Sequence, residues 1–397
     1  MREPSISRGP VVPEHGTRSG FPRVGVLGGG QLGRMLGLAA LRLGLQVRFH
    51  REPQSGGGPT DGVGEAMTGA MDDADALRRF VTGCDVITLE NEWLPLDVLA
   101  QQLPPGVALW PSPDTMALVR DKIVQKQHAL AHGLPVGPHR ACESEAALRR
   151  AARELGYPVV VKRPRHSYDG YGNATAHDEA ELLAAYDRLG GDDGRVLVEA
   201  FVGFVRELAV MVARRPGGQD VVYPVVTTVQ REHRCAAVEV PAAIDPAVAA
   251  AATALGRRTA QAYGCVGVVG VEMFECPDGR LLLNELAPRP HTTGHYTIEA
   301  CVTSQFENHL RAVLDWPLGD ASLVRPAAVM VNVLGTRHGE ASAATLPAAL
   351  AEPAVAVHVY GKRMVRPGRK MGHVTALGES VEDARARALR VAERLEL

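Results

Sequence analysis

The chain predicts an α/β domain with a parallel sheet, followed by a mixed α+β region. Three observations carry this expectation. An apolar run enters the glycines of VGVLGGGQLGRM (Val24–Met35), and a stretch with Leu32, Met35, Leu36, Ala39, Ala40 and Leu43 at helical spacing leaves them. Strand-like and helix-like runs then alternate through CDVITLENEW (Cys84–Trp93), as in a parallel sheet crossed by helices. From Arg195 onward, alternating apolar runs follow one another with little between them, which suits paired strands.

In order, the first strand and its glycine loop lead to a helix and a second strand at LQVRFH (Leu45–His50). EPQSGGGPTDGVGE is a loop, and the Cys84–Trp93 strand ends in carboxylates. WPSPDTM (Trp110–Met116), with two prolines, marks a domain boundary. GYPVVVKRP (Gly156–Pro164) is a short buried strand that delivers Lys162. RVLVEAFVGFVRELAVMVARR and VVYPVVTTVQ read as paired strands, Pro246–Tyr263 as a helix, Gly267–Arg289 as a hairpin and TSQFENHLRAVL as a helix. After Arg325, AAVMVNVLG opens a small C-terminal unit holding the basic stretch YGKRMVRPGRKMGH. The expected divisions are 1–20, 21–115, 116–325 and 326–397.

The 397 residues are enough for two or three domains, each with its own core. A net charge of −2 gives no support for a nucleic-acid or membrane surface. No run approaches the roughly 18 apolar residues of a membrane span. The first twenty residues lack an apolar segment and read as a disordered extension rather than a signal peptide. The six cysteines form no C-x-x-C and no zinc spacing, so buried free thiols in a reducing cytoplasm are expected.

Gly28, Gly30 and Gly33 stand at G-x-G-x-x-G spacing before a helix, where backbone N–H groups bind an anion. Glu52, about 20 residues on, has the place of a ribose-binding acid, so the N-terminal domain alone also suits NAD. In the hairpin GVVGVEMFECPDGRLLLNELAPR, a loop of four residues, Pro277–Arg280, sets Glu272 directly opposite Glu285. Like charges so placed repel, and Mg²⁺ would neutralise them. An odd-length loop favours the plainer reading, in which one glutamate is exposed and structural. Lys122 opens a helix-like segment, and Lys162 ends a strand just before SYDGYGN (Ser167–Asn173), an arrangement suited to a polyphosphate. Surface lysines near loops are common, and no G-x-x-x-x-G-K-[ST] is present. NELAPRPHTTGHYT places Arg289, His291 and His295 just after the paired carboxylates, where they suit a small anion and proton transfer.

Together, GGGQLGRM, CDVITLENEW, RDK (Arg120–Lys122), GYPVVVKRP, SYDGYGN, LVEAF, RELAVMVAR, NELAPRPHTTGHYT, TSQFENHLRA and GRKMGH resemble, in order and spacing, the ATP-grasp ligases. Among these the chain is similar to the 5-(carboxyamino)imidazole ribonucleotide synthetases of purine biosynthesis, from about Phe21 to Thr375. The resemblance implies an ATP-grasp fold with a Rossmann-like N-terminal domain, a lid subdomain over about 124–198 and a small C-terminal domain. It implies that ATP, bicarbonate and 5-aminoimidazole ribonucleotide react through carboxyphosphate, with Mg²⁺ and no NAD, in a homodimer. Such phosphoryl transfer needs positioning and charge neutralisation rather than a protein nucleophile.

The same resemblance assigns ATP contacts to Lys122, Lys162, Gln230 and Asn284. It gives the phosphate-covering loop to Ser167, Tyr168, Asp169, Gly170 and Gly172. The adenine hinge is Glu199, Ala200, Phe201 and Val202, the ribose carboxylate Glu207, and the Mg²⁺ ligands Glu272 and Glu285. Gly30, Gln31, Leu32, Glu90, Glu92, Lys362 and Arg369 handle the ribonucleotide, the glycine turn taking its phosphate. Arg289, His291 and Lys370 are the catalytic group, Arg289 and His291 matching the bicarbonate region and Lys370 falling where the family handles the ribonucleotide. The chain departs from the family pattern at Ser167, Tyr171 and Asn173, where Gly, Lys and Gln are usual, at Gln230 for a histidine, and at Thr292-Thr293 for Asn-Ser. Three other readings compete: an ATP-grasp ligase for another amine, such as a formate-dependent glycinamide ribonucleotide transformylase; an NAD-dependent dehydrogenase; and a non-enzymatic ATP-binding regulator.

Overall fold

The computed structural model describes residues 20–53, 58–166, 172–190, 194–231 and 234–397. The expected N-terminal extension through residue 19 and the loop positions Ser167–Tyr171 lie outside the described residues.

The first unit comprises β1 (Arg23–Leu27), α1 (Gln31–Arg42), β2 (Gln46–Arg51), β3 (Glu65–Thr68), α2 (Ala74–Val81), β4 (Val86–Leu89), α3 (Leu96–Ala100) and β5 (Ala108–Leu109). All pairings in the sheet β3-β2-β1-β4-β5 are parallel, as the alternation predicts. Strand order reverses between β1 and β4, so their C-terminal ends open a crevice. The glycine turn and the Glu90–Glu92 segment flank that crevice. The Cys84–Trp93 strand is shorter than expected, because the chain leaves the sheet where its carboxylates begin.

Next come α4 (Pro113–Val119), α5 (Lys122–Ala131), β6 (His139–Cys142), α6 (Glu145–Leu155), β7 (Val159–Lys162), β8 (Asn173–Ala176), α7 (Glu179–Leu189) and β9 (Val196–Ala200). The four strands make an antiparallel sheet, β6-β9-β7-β8, with Leu148 and Leu182 of its two long helices packed on Val159, Val161 and Val198. α5 packs instead on the larger sheet that follows, Lys126 donating to the Leu283 carbonyl at 3.2 Å, and Tyr263, just after the helix Pro246–Ala262, donates to the Gln125 carbonyl at 2.5 Å.

The remaining elements are β10 (Arg206–Arg214), β11 (Asp220–Val222), β12 (Val226–Arg231), β13 (Arg234–Val240), α8 (Pro246–Ala262), β14 (Gly267–Glu275), β15 (Leu281–Ala287), α9 (Thr297–Ala300), α10 (Gln305–Val313), β16 (Ala327–Leu334), β17 (Gly339–Glu340), α11 (Leu346–Ala349), β18 (Val355–Val359), β19 (Met364–Val365), β20 (Lys370–Gly378) and α12 (Val381–Arg394). Among the described residues, nine strands form one sheet, β15-β14-β10-β12-β13-β16-β20-β18, with β11 on β10. The C-terminal strands therefore extend the central sheet. Arg195–Arg215, expected as strands paired with each other, is divided: β9 joins the small sheet and β10 the large one. Alternation reports that one face is buried and does not choose a partner.

α10 ties the units together. Its Phe306 and Leu310 pack against Val24, Leu36 and Phe49 of the first unit, and its His309 meets Thr88 of β4 at 2.8 Å. No helix among the described residues is long and apolar enough to cross a membrane.

Candidate active site

The three larger sheets converge on one cleft of about 750 Å³, lined from the Gly30–Leu32 turn to the β14–β15 hairpin and on to Lys362 and Lys370. At the first-unit end, the Gly30 and Gly33 N–H groups both donate to the half-buried Glu90 carboxylate, each at 2.7 Å. The sequence expectation gave these donors to a ribonucleotide phosphate; in the structure the Gly30 and Gly33 N–H groups at the N-terminus of α1 are taken by an internal carboxylate. Burial raises the Glu90 pKa, and the two N–H groups and the Arg289 cation act in the opposite direction. Gly28 has φ +116°, and a Cβ there would fall 2.2 Å from Glu90 Cγ, so the turn is built around this side chain.

Gln31 faces the cleft and accepts from Lys362 Nζ at 2.6 Å, linking the first unit to the C-terminal strands. A Cβ at Gly30 would sit 2.7 Å from Glu90 Oε1. Gly30→Val should therefore displace Glu90 and Gln31 and weaken ribonucleotide binding by at least about tenfold, leaving Mg-ATP affinity unchanged. Glu52 is exposed, and Glu52→Ala should alter neither affinity. Calorimetric titration with ribonucleotide, Mg-ATP and NADH checks all three. NADH binding that disappears in Glu52→Ala would restore the dinucleotide reading.

At the centre, β7, β9 and α5 deliver interleaved charges. Glu199 accepts from Lys162 at 2.5 Å and from Lys126 at 2.8 Å, all three side chains being buried. Burial opposes the charge on Glu199, but the two ammonium groups outweigh it and hold its carboxyl well below the usual range. On Lys126 burial prevails over Glu199 and lowers the pKa. On Lys162 the carboxylates of Glu199, Glu285 and Glu272 prevail over burial and raise it. Lys126 escaped the sequence reading, although it stands four residues after Lys122, which puts both lysines on one helix face. Asp121 caps α5 by accepting from Ile123 N at 2.9 Å, and it also holds Arg165 at 2.9 Å, so it aims Lys122 from the helix start.

The hairpin reaches the expected register by a different route. Glu275 pairs with Leu281, leaving a five-residue loop, Cys276–Arg280, rather than the expected four. That odd count alone would bring Asn284 opposite Glu272. A β-bulge between Glu272 and Met273 inserts one residue on β15 and restores the Glu272–Glu285 pair. A bulge re-aims side chains, and Asn284 Oδ1 accepts from Lys162 Nζ at 3.2 Å. Glu285 binds Lys122 Nζ at 2.6 Å, so the hairpin charge is partly offset from α5, which the sequence did not show. Burial in the cleft, together with Glu285 and Glu207, pushes Glu272 up to about 8. Burial also opposes the charge on Glu285, but Lys122 prevails and keeps its pKa depressed.

Beyond the hairpin, Arg289 pairs with Glu92 at 2.8 Å across the two units. His291 Nε2 lies 3.9 Å from Glu272 Oε1, and Lys370 Nζ donates to Thr292 Oγ1 at 3.3 Å. Glu92, Arg289, His291, Lys362 and Lys370 thus share one end of the cleft. Arg369 does not line it, because its guanidinium turns to the Met364 carbonyl at 2.7 Å. At the opposite end lie Glu199, Ala200, Phe201, Val202, Glu207 and Gln230. Glu207 accepts from Thr228 Oγ1 at 3.3 Å. Gly172, with φ +97°, is the described end of the loop after Lys162, and its carbonyl accepts from Arg163 N at 2.7 Å.

Buried lysines from a helix and from a strand end around a facing carboxylate pair, all in a cleft between the sheets, define an ATP-grasp ligase, and an ATP-grasp domain model matches residues 127–306. A ribonucleotide synthetase preATP-grasp domain model matches 21–120, and a phosphoribosylaminoimidazole carboxylase C-terminal domain model matches 328–387. The chain belongs to the N5-carboxyaminoimidazole ribonucleotide synthase family, ATP-grasp enzymes of purine biosynthesis. It is 41% identical over 354 residues to the Synechococcus elongatus enzyme of that name, covering 89% of this chain and 88% of the relative. The crystal structure of the Thermotoga maritima N5-carboxyaminoimidazole ribonucleotide synthetase superposes with a TM-score of 0.84 at 36% identity, covering 95% of this chain and 99% of that one. The Aspergillus clavatus N5-carboxyaminoimidazole synthase in complex with ADP and 5-aminoimidazole ribonucleotide gives a TM-score of 0.84 at 33% identity, over 94% and 99%.

Proposed function

We propose that this cleft phosphorylates bicarbonate with ATP and transfers the carboxyl group to the amino nitrogen of 5-aminoimidazole ribonucleotide. The observation that carries the reading is the array of ion pairs Lys126–Glu199–Lys162 and Glu285–Lys122, with Lys162 also donating to the Asn284 amide beside Glu285. Such an array positions a polyphosphate without a protein nucleophile. Bicarbonate is a poor acceptor because hydroxide is a poor leaving group. An oxygen of bicarbonate attacks the γ-phosphorus and ADP departs. The amine then attacks the carboxyphosphate carbon, phosphate departs, and the nitrogen gives up its proton.

Lys122 and Lys162 hold the phosphate chain, with Ser167, Tyr168, Asp169, Gly170 and Gly172 as the covering loop. The Val202 backbone and its neighbours Ala200 and Phe201 hold the adenine, Glu207 the ribose, and Gln230 lies beside them. Glu199 serves through its side chain, by fixing Lys162. Glu272 and Glu285 fit a hard divalent cation, because a carboxylate pushed up to about 8 beside a second one is relieved by such a charge. Bound Mg²⁺ supplies charge neutralisation at the transferred phosphoryl group. Arg289, His291 and Lys370 hold the bicarbonate-derived group. Gln31, Leu32, Glu92 and Lys362 bind the ribonucleotide, with Gly30 and Glu90 shaping the turn. Lys362, which donates to Gln31, gives the ribonucleotide phosphate a counter-charge.

The six cysteines are free thiols, which fits a cytoplasmic enzyme. The homodimer rests on the family resemblance, and sedimentation tests it. For the activity itself, ADP release is measured with each substrate omitted in turn. ADP should appear only with bicarbonate present and should match the N-carboxylated product one for one when 5-aminoimidazole ribonucleotide is added. Turnover with formate and glycinamide ribonucleotide in place of these would overturn the assignment.

A further inference from the structure

Gln305, the first residue of α10, is fully buried behind the turn that carries His291 and Thr292. Its Oε1 accepts from the His291 N–H at 3.0 Å, and its Nε2 donates to the His291 carbonyl at 2.8 Å. A backbone N–H only donates and a carbonyl only accepts, so the orientation of the amide is dictated. The second Nε2 hydrogen then goes to His295 Nδ1 at 3.0 Å, which makes that nitrogen an acceptor and leaves the imidazole proton on Nε2. One side chain therefore grips both backbone groups of His291 and sets the tautomer of His295.

The surroundings are shaped to this grip. A Cβ at Gly294 would lie 2.4 Å from Gln305 Oε1, and a Cβ at Gly270 would lie 2.7 Å from His291 Cβ. The gripped turn carries the His291 ring toward Glu272 and offers Thr292 Oγ1 to Lys370. We infer that Gln305 is a positioning residue for the bicarbonate-derived group: it holds the His291–Thr293 turn where that group must sit during carboxyl transfer. This rests on the functional reading above.

The test uses the full-length enzyme, with ADP and N-carboxylated product counted in parallel. Gln305→Glu keeps the shape and the acceptor for His291 N–H and removes both donors. Gly294→Ala pushes on the amide without changing its chemistry. Each should lower kcat/KM for bicarbonate on the order of 100-fold while KM for ATP stays within about twofold, since misplacement of about 1 Å suffices for such a loss. ADP should exceed product, because a misplaced carboxyphosphate is lost to water. A purely structural role predicts otherwise: loss of ATP and bicarbonate response in parallel, or unchanged one-to-one coupling, in either folded variant. Either result overturns the inference, as does failure of both variants to fold. If wild-type ADP release does not depend on bicarbonate, the functional reading itself fails first.

Discussion

Glu285→Gln should reduce turnover on the order of 1,000-fold, with the fold intact. The substitution keeps the shape of the side chain and removes one of the two facing charges. Glu272 then loses the repulsion that, after burial, contributes most to its raised pKa, while Lys122 loses its 2.6 Å partner. These effects oppose each other, so the melting temperature without ligand should change little. The stabilisation gained on adding Mg-ATP should largely disappear, since both the cation and the aim of Lys122 depend on this carboxylate. Thermal melts with and without Mg-ATP, beside an ADP-release assay, separate the effects. Full activity in the variant, or collapse of the fold, would refute a metal-binding role for the pair.

Lys162→Met should raise KM for ATP by roughly 100-fold and leave KM for the ribonucleotide unchanged at saturating ATP. It should also destabilise the protein by on the order of 2 kcal/mol, because buried Glu199 keeps only Lys126 as a cation. The depressed Glu199 pKa gives the sign of the pH response. Its stabilisation is present above the ordinary value of 4.5 and is lost as pH falls through the depressed one. The variant should therefore lose less stability between neutral and acid pH than the wild type. Denaturant melts at pH 7 and pH 3, the second well inside the window below 4.5, measure this difference. If ribonucleotide affinity collapsed and ATP affinity held, the two ends of the cleft would have to be exchanged.

Much of this molecule is legible in the sequence where the signal is local. The parallel first sheet follows from strand-glycine-helix alternation, and α8 and α10 follow from apolar spacing between recognisable ends. Lys122 at a helix start and Lys162 at a strand end stand where expected, because caps and apolar runs are set by neighbours a few residues away. The hairpin is more instructive. Counting loop residues led to the right pair of glutamates although the loop is one residue longer, since a bulge compensated. A bulge arises where β15 must meet β14 and Lys162 together, and no turn residue announces it.

The sequence by itself settled which chemistry is available: carboxylates at same-face spacing, lysines at element ends, an arginine and histidines just beyond, and motifs in a family's order. Tertiary structure alone decided which charges meet. Glu90 and Gly30 are 60 residues apart, yet Glu90 takes the backbone donors that a glycine motif reserves for phosphate. Lys126 and Glu199 come from a helix and a strand far apart in the sequence, Arg289 and Glu92 come from different domains, and Gln305 reaches His291 across a turn. The physical reason is range. Helix and strand periodicity report one buried face within a few residues, whereas pairing in the interior is selected by the cost of leaving a buried donor or charge unmatched. That cost depends on partners brought near only when the sheets have closed around the cleft.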